Sequence, residues 1–218
     1  MNGTPFGFAW HVDRDGYEIH VEQESAGLAG RVGFEVLVAR GGRLRPTSPL
    51  DDESLWLRFA ETCKDMDGVM LFTKEFGLLG ASPERLDRIL ETAAHIRRIS
   101  QHLDAGDRLT ATRIFDQNIP TMKAAILWYS REPERFHYRL IPVTLRDALL
   151  HQAGEAITGN RRFRRCRNEG CSNWFRLGPN VAPEDGRRQT ITIRREFCSD
   201  RCRVASARRQ KRELAAHA

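Results

Sequence analysis

The C-terminal region of this chain is organised by two short stretches, CRNEGC at residues 166–171 and CSDRC at residues 198–202. Each stretch begins and ends in cysteine, which gives the spacing C-x4-C, 26 intervening residues and C-x3-C. Four soft ligands in two local pairs are what a tetrahedral structural zinc site requires. The spacing therefore predicts one structural zinc ion, held by Cys166, Cys171, Cys198 and Cys202. Two disulfides or free thiols are the alternative interpretation.

Basic residues are concentrated in the same region. Residues 161–218 carry 16 Lys/Arg against 6 Asp/Glu, a net charge of +10, whereas the whole chain of 218 residues carries +6 and residues 1–160 therefore carry −4. A compact basic module is typical of contact with a nucleic-acid backbone. A solvated basic face is the alternative. The predicted nucleic-acid contacts are Arg161, Arg162, Arg164, Arg165, Arg201, Arg203, Arg208, Arg209, Lys211 and Arg212.

Composition excludes several classes of protein. No apolar run approaches the roughly 20 residues of a membrane span, and the N-terminus lacks the basic start and apolar stretch of a secretory signal. Five cysteines without such a signal favour the reducing cytoplasm, where paired cysteines bind metal more often than they form disulfides. The fifth, Cys63, shares an apolar helical face with Leu55 and Phe59 and is predicted to be a buried small hydrophobe.

The pattern along the chain predicts an α+β fold with two domains, residues 1–159 and residues 160–218. Residues 6–45 alternate apolar and polar side chains between glycine-containing turns, which predicts an N-terminal β-meander. A mainly helical body follows, and charge changes sharply at its end. Helix start and stop signals predict helices from Asp51 or Asp52 to about 64, over 67–76, from Ser82-Pro83-Glu84 to Gly106, over 109–115 and 121–129, and over 144–159.

The C-terminal module follows the order of a treble-clef zinc module. Residues 161–165 are predicted to be extended, residues 190–193 β-like, and residues 199–214 a basic helix. Trp174 and Phe175 follow the first cysteine pair. Stacking on nucleic-acid bases is one role for them, and packing over the metal site as a miniature core is the favoured one.

The residues give no support for an enzyme. Four thiolates leave a zinc ion without the open position that catalysis needs, and no histidine lies between His151 and His217, although metal-dependent treble-clef nucleases need one in this module. His95, His102 and His137 are interpreted as ordinary polar residues. The aromatic residues at 128–129 and 136–138 could line a pocket for a small-molecule ligand, but core packing is favoured.

The stretches CRNEGCSNWF at 166–175 and RREFCSDRCR at 194–203 resemble the CGNR-type zinc fingers of bacterial proteins. The resemblance extends over residues 161–212, and residues 51–115 resemble the helical part of related proteins. It implies a helical domain of the ABATE type before the finger, and a stress-induced transcription regulator that binds DNA. The name-giving Cys-Gly-Asn-Arg is here Cys202-Arg203-Val204-Ala205, so the four ligands carry over but individual DNA-reading residues do not.

The expected function is therefore that of a zinc-dependent nucleic-acid-binding protein, a bacterial transcription regulator that binds DNA. Its body would sense a ligand or mediate association. A protein-interaction or RNA-binding adaptor that uses the same structural zinc module is the alternative.

Overall fold

The computed structural model describes residues 10–25, 31–131, 134–159, 163–171, 173–177 and 196–216. The chain divides into two compact units, residues 1–153 and residues 154–218, and its fold is mixed α+β. The strands are β1 (Trp10–Asp13), β2 (Tyr17–Ser25), β3 (Arg31–Ala39), β4 (Leu44–Thr47), β5 (Glu84–Arg85), β6 (Met122–Arg131), β7 (Glu134–Pro142), β8 (Phe163–Arg165) and β9 (Trp174–Arg176). The helices are α1 (Leu55–Thr62), α2 (Met66–Phe76), α3 (Leu86–Asp104), α4 (Arg108–Asp116), α5 (Leu145–Thr158) and α6 (Asp200–Ala216), with a 3-10 turn at Pro49–Asp51.

The N-terminal strands are antiparallel, but their pairing differs from that of a meander. β1 pairs with β4, whereas β2 and β3 form a hairpin that β5 extends to three strands. The buried carboxylate of Asp13 explains the closure of β1 on β4, because it accepts backbone N–H groups from Asp15 and Gly41, each at 2.8 Å. Gly16 and Gly41 have φ of 85° and 74°, a conformation that favours glycine. Two turns distant in sequence are thus tied to one side chain.

The core of the first unit lies between the β2–β3 hairpin and helices α1 to α3. Phe59 and Phe72 meet edge to face with ring centroids 4.9 Å apart, and Leu37 of β3 is fully buried. The Arg97 guanidinium donates to the carbonyl of Ala60 at 2.7 Å, which satisfies an orphan acceptor at the end of α1. The buried aromatic cluster accounts for the packing of these helices.

Cys63 lies at the end of α1 and is 1% exposed. Burial raises the pKa of its thiol, so the group remains a neutral small hydrophobe, in agreement with the prediction from sequence.

The predicted helix start at Ser82-Pro83-Glu84 is wrong, because α3 begins at Leu86. Both capping groups have other partners: the Ser82 hydroxyl accepts the N–H of Ala39 at 3.1 Å, and the Glu84 carboxylate accepts the N–H of Leu79 at 2.7 Å. Glu84 and Arg85 instead pair with β3. Sheet extension therefore overrides a strong local signal. The end of α3 before Gly106, which has φ of 78°, is as predicted.

Glu84 gives the first unit a pH-dependent stability. Burial raises the pKa of its carboxyl from 4.5 to about 6. The folded state holds this proton more tightly than the unfolded chain, so the contribution is complete below pH 4.5 and is lost as pH rises through 6. Glu84→Gln keeps an oxygen for the Leu79 N–H, and we expect it to stabilise the unit by about 1–2 kcal/mol at pH 7 and by little at pH 4.5. Urea unfolding at the two pH values measures the difference.

The control for this prediction is Glu91→Gln, which changes an exposed carboxylate of α3. Equal effects of Glu84→Gln and Glu91→Gln at both pH values would contradict the assignment to Glu84.

The helix predicted over residues 121–129 is also wrong. These residues form β6, which pairs with β7 from Met122↔Pro142 to Arg131↔Glu134. In the backbone register, Trp128 is the partner of His137 and Tyr129 is the partner of Phe136. The segment is therefore a β-hairpin, because it is paired along its length with a strand that its own sequence does not identify. The side chains at 124–139 lie outside the described ones.

α5 begins where the sequence predicts. Thr144 and Asp147 form a reciprocal cap, in which the Thr144 N–H donates to Asp147 at 3.1 Å and the Asp147 N–H donates to the Thr144 hydroxyl at 3.1 Å. Asp147 also accepts the N–H of Thr121 at 2.8 Å. Leu145, Leu149 and Ala153 are fully buried. In the part of the chain that the structure describes, no helix is both long and apolar enough to cross a membrane.

Candidate metal centre and basic helix

The four cysteines that the sequence singles out converge on one point. The Sγ atoms of Cys166, Cys171, Cys198 and Cys202 all lie within 4.8 Å of one another. Cys198 Sγ is 3.7 Å from Cys171 Sγ and 3.5 Å from Cys202 Sγ. Four thiolates about 2.3 Å from a central zinc ion lie about 3.8 Å apart in a tetrahedron. The cluster therefore could hold a metal ion, and its spacing agrees with tetrahedral thiolate coordination.

The same distances disagree with the alternative of two disulfides. A disulfide requires sulfurs about 2.05 Å apart, and all five cysteines are free. Cys166, the most buried of the four ligands at 5% exposure, accepts the N–H of Cys198 at its sulfur, at 3.5 Å. A donor directed at a sulfur stabilises the thiolate that a metal ion requires.

The first cysteine pair lies on a tight turn between two short strands. Cys171 donates its N–H to the carbonyl of Asn168 at 2.8 Å, and Cys166 donates its N–H to the carbonyl of Asn173 at 2.9 Å. β8 and β9 pair on either side of this turn. Phe175 of β9 is 9% exposed, as the interpretation of this aromatic as a miniature core predicts.

The second cysteine pair is held by the start of α6. The Ser199 hydroxyl accepts the N–H of Cys202 at 3.3 Å, the geometry of an N-cap. Asp200 then places an acid in the first turn, where the helix dipole favours it. Glu196 connects the two pairs, because its carbonyl accepts the Arg167 N–H at 2.9 Å and its carboxylate pairs with the Arg167 guanidinium at 2.8 Å. Both ligand pairs are thus positioned by local hydrogen bonds.

The thiols differ in acidity. A hydrogen bond with the Ser199 hydroxyl lowers the pKa of Cys202 to about 7, whereas burial raises the pKa of Cys198 to about 12. The Cys202 thiol therefore loses its proton more readily than the Cys198 thiol. Metal affinity is expected to fall as pH falls, because each ligand must be a thiolate.

The predicted nucleic-acid contacts are distributed over several places. Arg161 and Arg162 lie outside the described residues, and Arg164 and Arg165 lie on β8. The other six lie on α6, which begins within two residues of Cys198 and carries Cys202 in its first turn. The second cysteine pair and the helix are therefore one structural unit.

One of the six basic residues of α6 faces inward. Cys202, Ser206 and Arg209 are only partly exposed and recur at four- and three-residue spacing, which defines the inner face of the helix. The Arg209 guanidinium pairs with Glu169 at 2.8 Å and donates to Asn168 at 3.4 Å. Arg209 therefore fastens α6 to the first cysteine turn. The sequence did not indicate the roles of Asn168 and Glu169 in this contact, or that of Ser199 at the start of α6. Of the three, only Ser199 has a recognisable signal, the cap signature Ser199-Asp200.

Arg203 lies on a different side of α6 from the remaining basic residues. It pairs with Asp200 at 3.0 Å, where both side chains are well exposed. Such an exposed pair contributes little to stability.

The remaining four basic side chains form a stripe on α6, which we call the basic stripe: Arg201, Arg208, Lys211 and Arg212. Arg201, Arg208 and Arg212 are separated by seven and four residues, so they share one helical face, and Lys211 adjoins it. All four are exposed. Within the described ranges no hydrogen bond or ion pair engages them. The stripe therefore presents four unneutralised positive charges on a helix that the cysteine cluster anchors.

The other polar candidates have ordinary partners. A ring nitrogen of His95 lies 3.2 Å from the Asn118 amide nitrogen, and His102 Nδ1 lies 3.3 Å from Asp107. Neither histidine belongs to the cysteine cluster.

Comparison of the chain with models of known protein families finds no match, and comparison with curated proteins finds none either.

Proposed function

We propose that this protein binds nucleic acid through a basic helix held by a structural zinc ion, and that it is a DNA-binding transcription regulator. The observation that carries the proposal is the basic stripe. Its charges are exposed and unneutralised, and they lie on a helix whose first turn contains one of the four clustered cysteines. A helix fits the major groove of DNA, and arginine and lysine neutralise its phosphates.

Zinc is the proposed metal because four thiolates at tetrahedral spacing are its typical structural ligands. The proposed role is structural: with four protein ligands the ion has no open position for a substrate, so we propose no enzyme activity for this site. Reduced thiolates also require a reducing compartment, and we propose the cytoplasm.

The resemblance of residues 161–212 to CGNR-type zinc fingers supports the choice of DNA, because that family is proposed to regulate transcription. In this proposal the second unit binds DNA and the first unit senses a ligand or mediates association.

Fluorescence anisotropy over a series of salt concentrations tests the proposal. We expect the full, zinc-loaded chain to bind duplex DNA, with an affinity whose logarithm falls linearly with log[salt], by about 0.9 for each phosphate neutralised. Single-stranded and duplex RNA of matched length are the comparison arms. Tighter binding to RNA than to DNA would favour the RNA-binding adaptor, and no binding to either would favour an acidic protein partner.

A further inference from the structure

The first unit contains an open cavity of about 670 Å³, and none of its lining residues belongs to the cysteine cluster. The turn between β1 and β2 lines it together with α2, Arg40 and Arg45. Small-molecule sites in proteins have volumes of roughly 300–1,000 Å³. The cavity is therefore large enough for a small organic ligand.

Its lining combines apolar and basic side chains. We call the apolar ones the floor (Val12, Tyr17, Met70 and Leu71) and the basic ones the rim (Arg14, Arg40, Arg45 and Lys74). Val12 and Tyr17 are buried. Leu71 is 64% exposed, a large apolar side chain that a ligand would cover. Ligand sites are typically apolar surfaces with a few polar groups that fix orientation.

The rim carries four cations, from Arg14, Arg40, Arg45 and Lys74. Within the described ranges no ion pair engages the side chain of Arg14 or Lys74, whereas the Arg40 guanidinium lies 3.5 Å from the Glu18 carboxylate. Arg45 donates one guanidinium N–H to the carbonyl of Glu75 at 3.0 Å and keeps other donors, since a guanidinium has five. The rim therefore has an excess of positive charge.

The two acidic residues of the lining have partners. Asp13 accepts backbone N–H groups from Asp15 and Gly41 and is 4% exposed. Asp15 pairs with Arg43 at 2.9 Å, and the Arg43 guanidinium holds the pKa of that carboxyl below its usual value. Hydrogen bonds from the Asp13 N–H to the Tyr17 hydroxyl at 3.0 Å and from the Arg40 N–H to the Gly16 carbonyl at 3.1 Å fix the turn. The cavity wall is thus pre-organised rather than assembled by a ligand.

We propose that this cavity binds an amphipathic organic anion, a carboxylate on a short hydrocarbon or aromatic body, whose apolar part covers Leu71 and Met70 and whose carboxylate lies at the basic rim. Charge complementarity selects the anion, and the exposed apolar floor selects its hydrocarbon part. This inference deepens the ligand-sensing part of the proposed function. Its test contains no nucleic acid, so its failure is distinguishable from a failure of DNA binding.

Isothermal titration calorimetry of the full chain with octanoate, 1-octanol and acetate tests both halves of the proposal. We expect octanoate to bind at least about tenfold more tightly than either of the others, because only octanoate supplies charge and hydrocarbon together. If 1-octanol bound as tightly as octanoate, the result would contradict a role for the rim. If acetate bound as tightly as octanoate, it would contradict a role for the floor. No binding of octanoate would overturn the proposal.

Variants locate the site. Arg14→Gln/Lys74→Gln is expected to weaken octanoate binding about tenfold, and Leu71→Ser at least about threefold, with unchanged thermal unfolding because all three side chains are exposed. The matched control is Lys64→Gln/Arg113→Gln, which removes two exposed charges of the same unit that do not line the cavity. Equal weakening by the control, or an unchanged affinity in Leu71→Ser, would place octanoate elsewhere and overturn the proposal.

Discussion

Cys198→Ser is expected to abolish stoichiometric metal binding and to unfold the second unit while the first unit remains folded. The reason is the size of the apolar core. Among the described residues of the second unit, the buried apolar side chains are Ala156, Ile157, Cys166 and Phe175. So small a core cannot offset the conformational entropy that the second unit loses on folding. We therefore expect metal binding to supply the free energy that folds it. By contrast, the first unit buries Trp56, Phe59, Leu37 and the apolar face of α3.

Elemental analysis and hydrogen exchange measure this outcome. We expect one zinc per wild-type chain, and in Cys198→Ser a loss of amide protection over α6 without loss over α3. Cys63→Ala is the matched control, because it removes the cysteine that lies outside the cluster. Full zinc content in Cys198→Ser would contradict the assignment of the four cysteines as zinc ligands. A wild-type chain that contains no zinc after purification without chelator would contradict it as well.

Replacing the basic stripe with glutamine, in Arg201→Gln/Arg208→Gln/Lys211→Gln/Arg212→Gln, is expected to remove most nucleic-acid affinity. If each side chain neutralises one phosphate, the slope of log affinity against log[salt] becomes shallower by about 3 to 4, and low-salt affinity falls by roughly a hundredfold or more. The zinc content should not change, because the four side chains of the stripe are exposed and none of them belongs to the cysteine cluster. Anisotropy with duplex DNA, with zinc measured on the same samples, checks both expectations.

A control variant that removes four charges elsewhere distinguishes the effect of the stripe's location from the effect of the chain's net charge. Lys64→Gln/Arg88→Gln/Arg98→Gln/Arg113→Gln removes four exposed charges from the first unit and should leave the slope nearly unchanged. If this control and the stripe variant lose affinity equally, binding follows the net charge of the chain and the stripe is not the interface.

Several elements could be predicted because local chemistry determines them. α2 ends at Gly77, α3 ends before Gly106, and Thr144 with Asp147 begins α5. In each case the capping residue and the group it satisfies lie within four residues of one another, so no distant contact is needed. The cysteine cluster is similar, because each short spacing places two cysteines close together, and only the approach of the two pairs to one another depends on distant contacts.

Other elements could not be predicted because distant residues decide them. β6 has a composition compatible with a helix and becomes a strand through its pairing with β7. Ser82 and Glu84 have the chemistry of a helix start, yet they satisfy the N–H groups of Ala39 and Leu79. β1 pairs with β4 rather than with β2 because Asp13 holds two turns together. Strand pairing depends on neighbours that sequence periodicity does not identify.

By itself, the sequence determined the candidate metal ligands and the concentration of positive charge near the C-terminus, because spacing and composition are properties of the chain alone. Only the tertiary structure decided which positive charges remain available. Arg209 and Arg208 are adjacent in sequence and chemically identical, yet Arg209 is engaged by Glu169 and Asn168 while Arg208 is exposed on the basic stripe. The difference arises because a helix rotates successive side chains by about 100°, so the contact of α6 with the first cysteine turn selects one face and leaves the other to solvent.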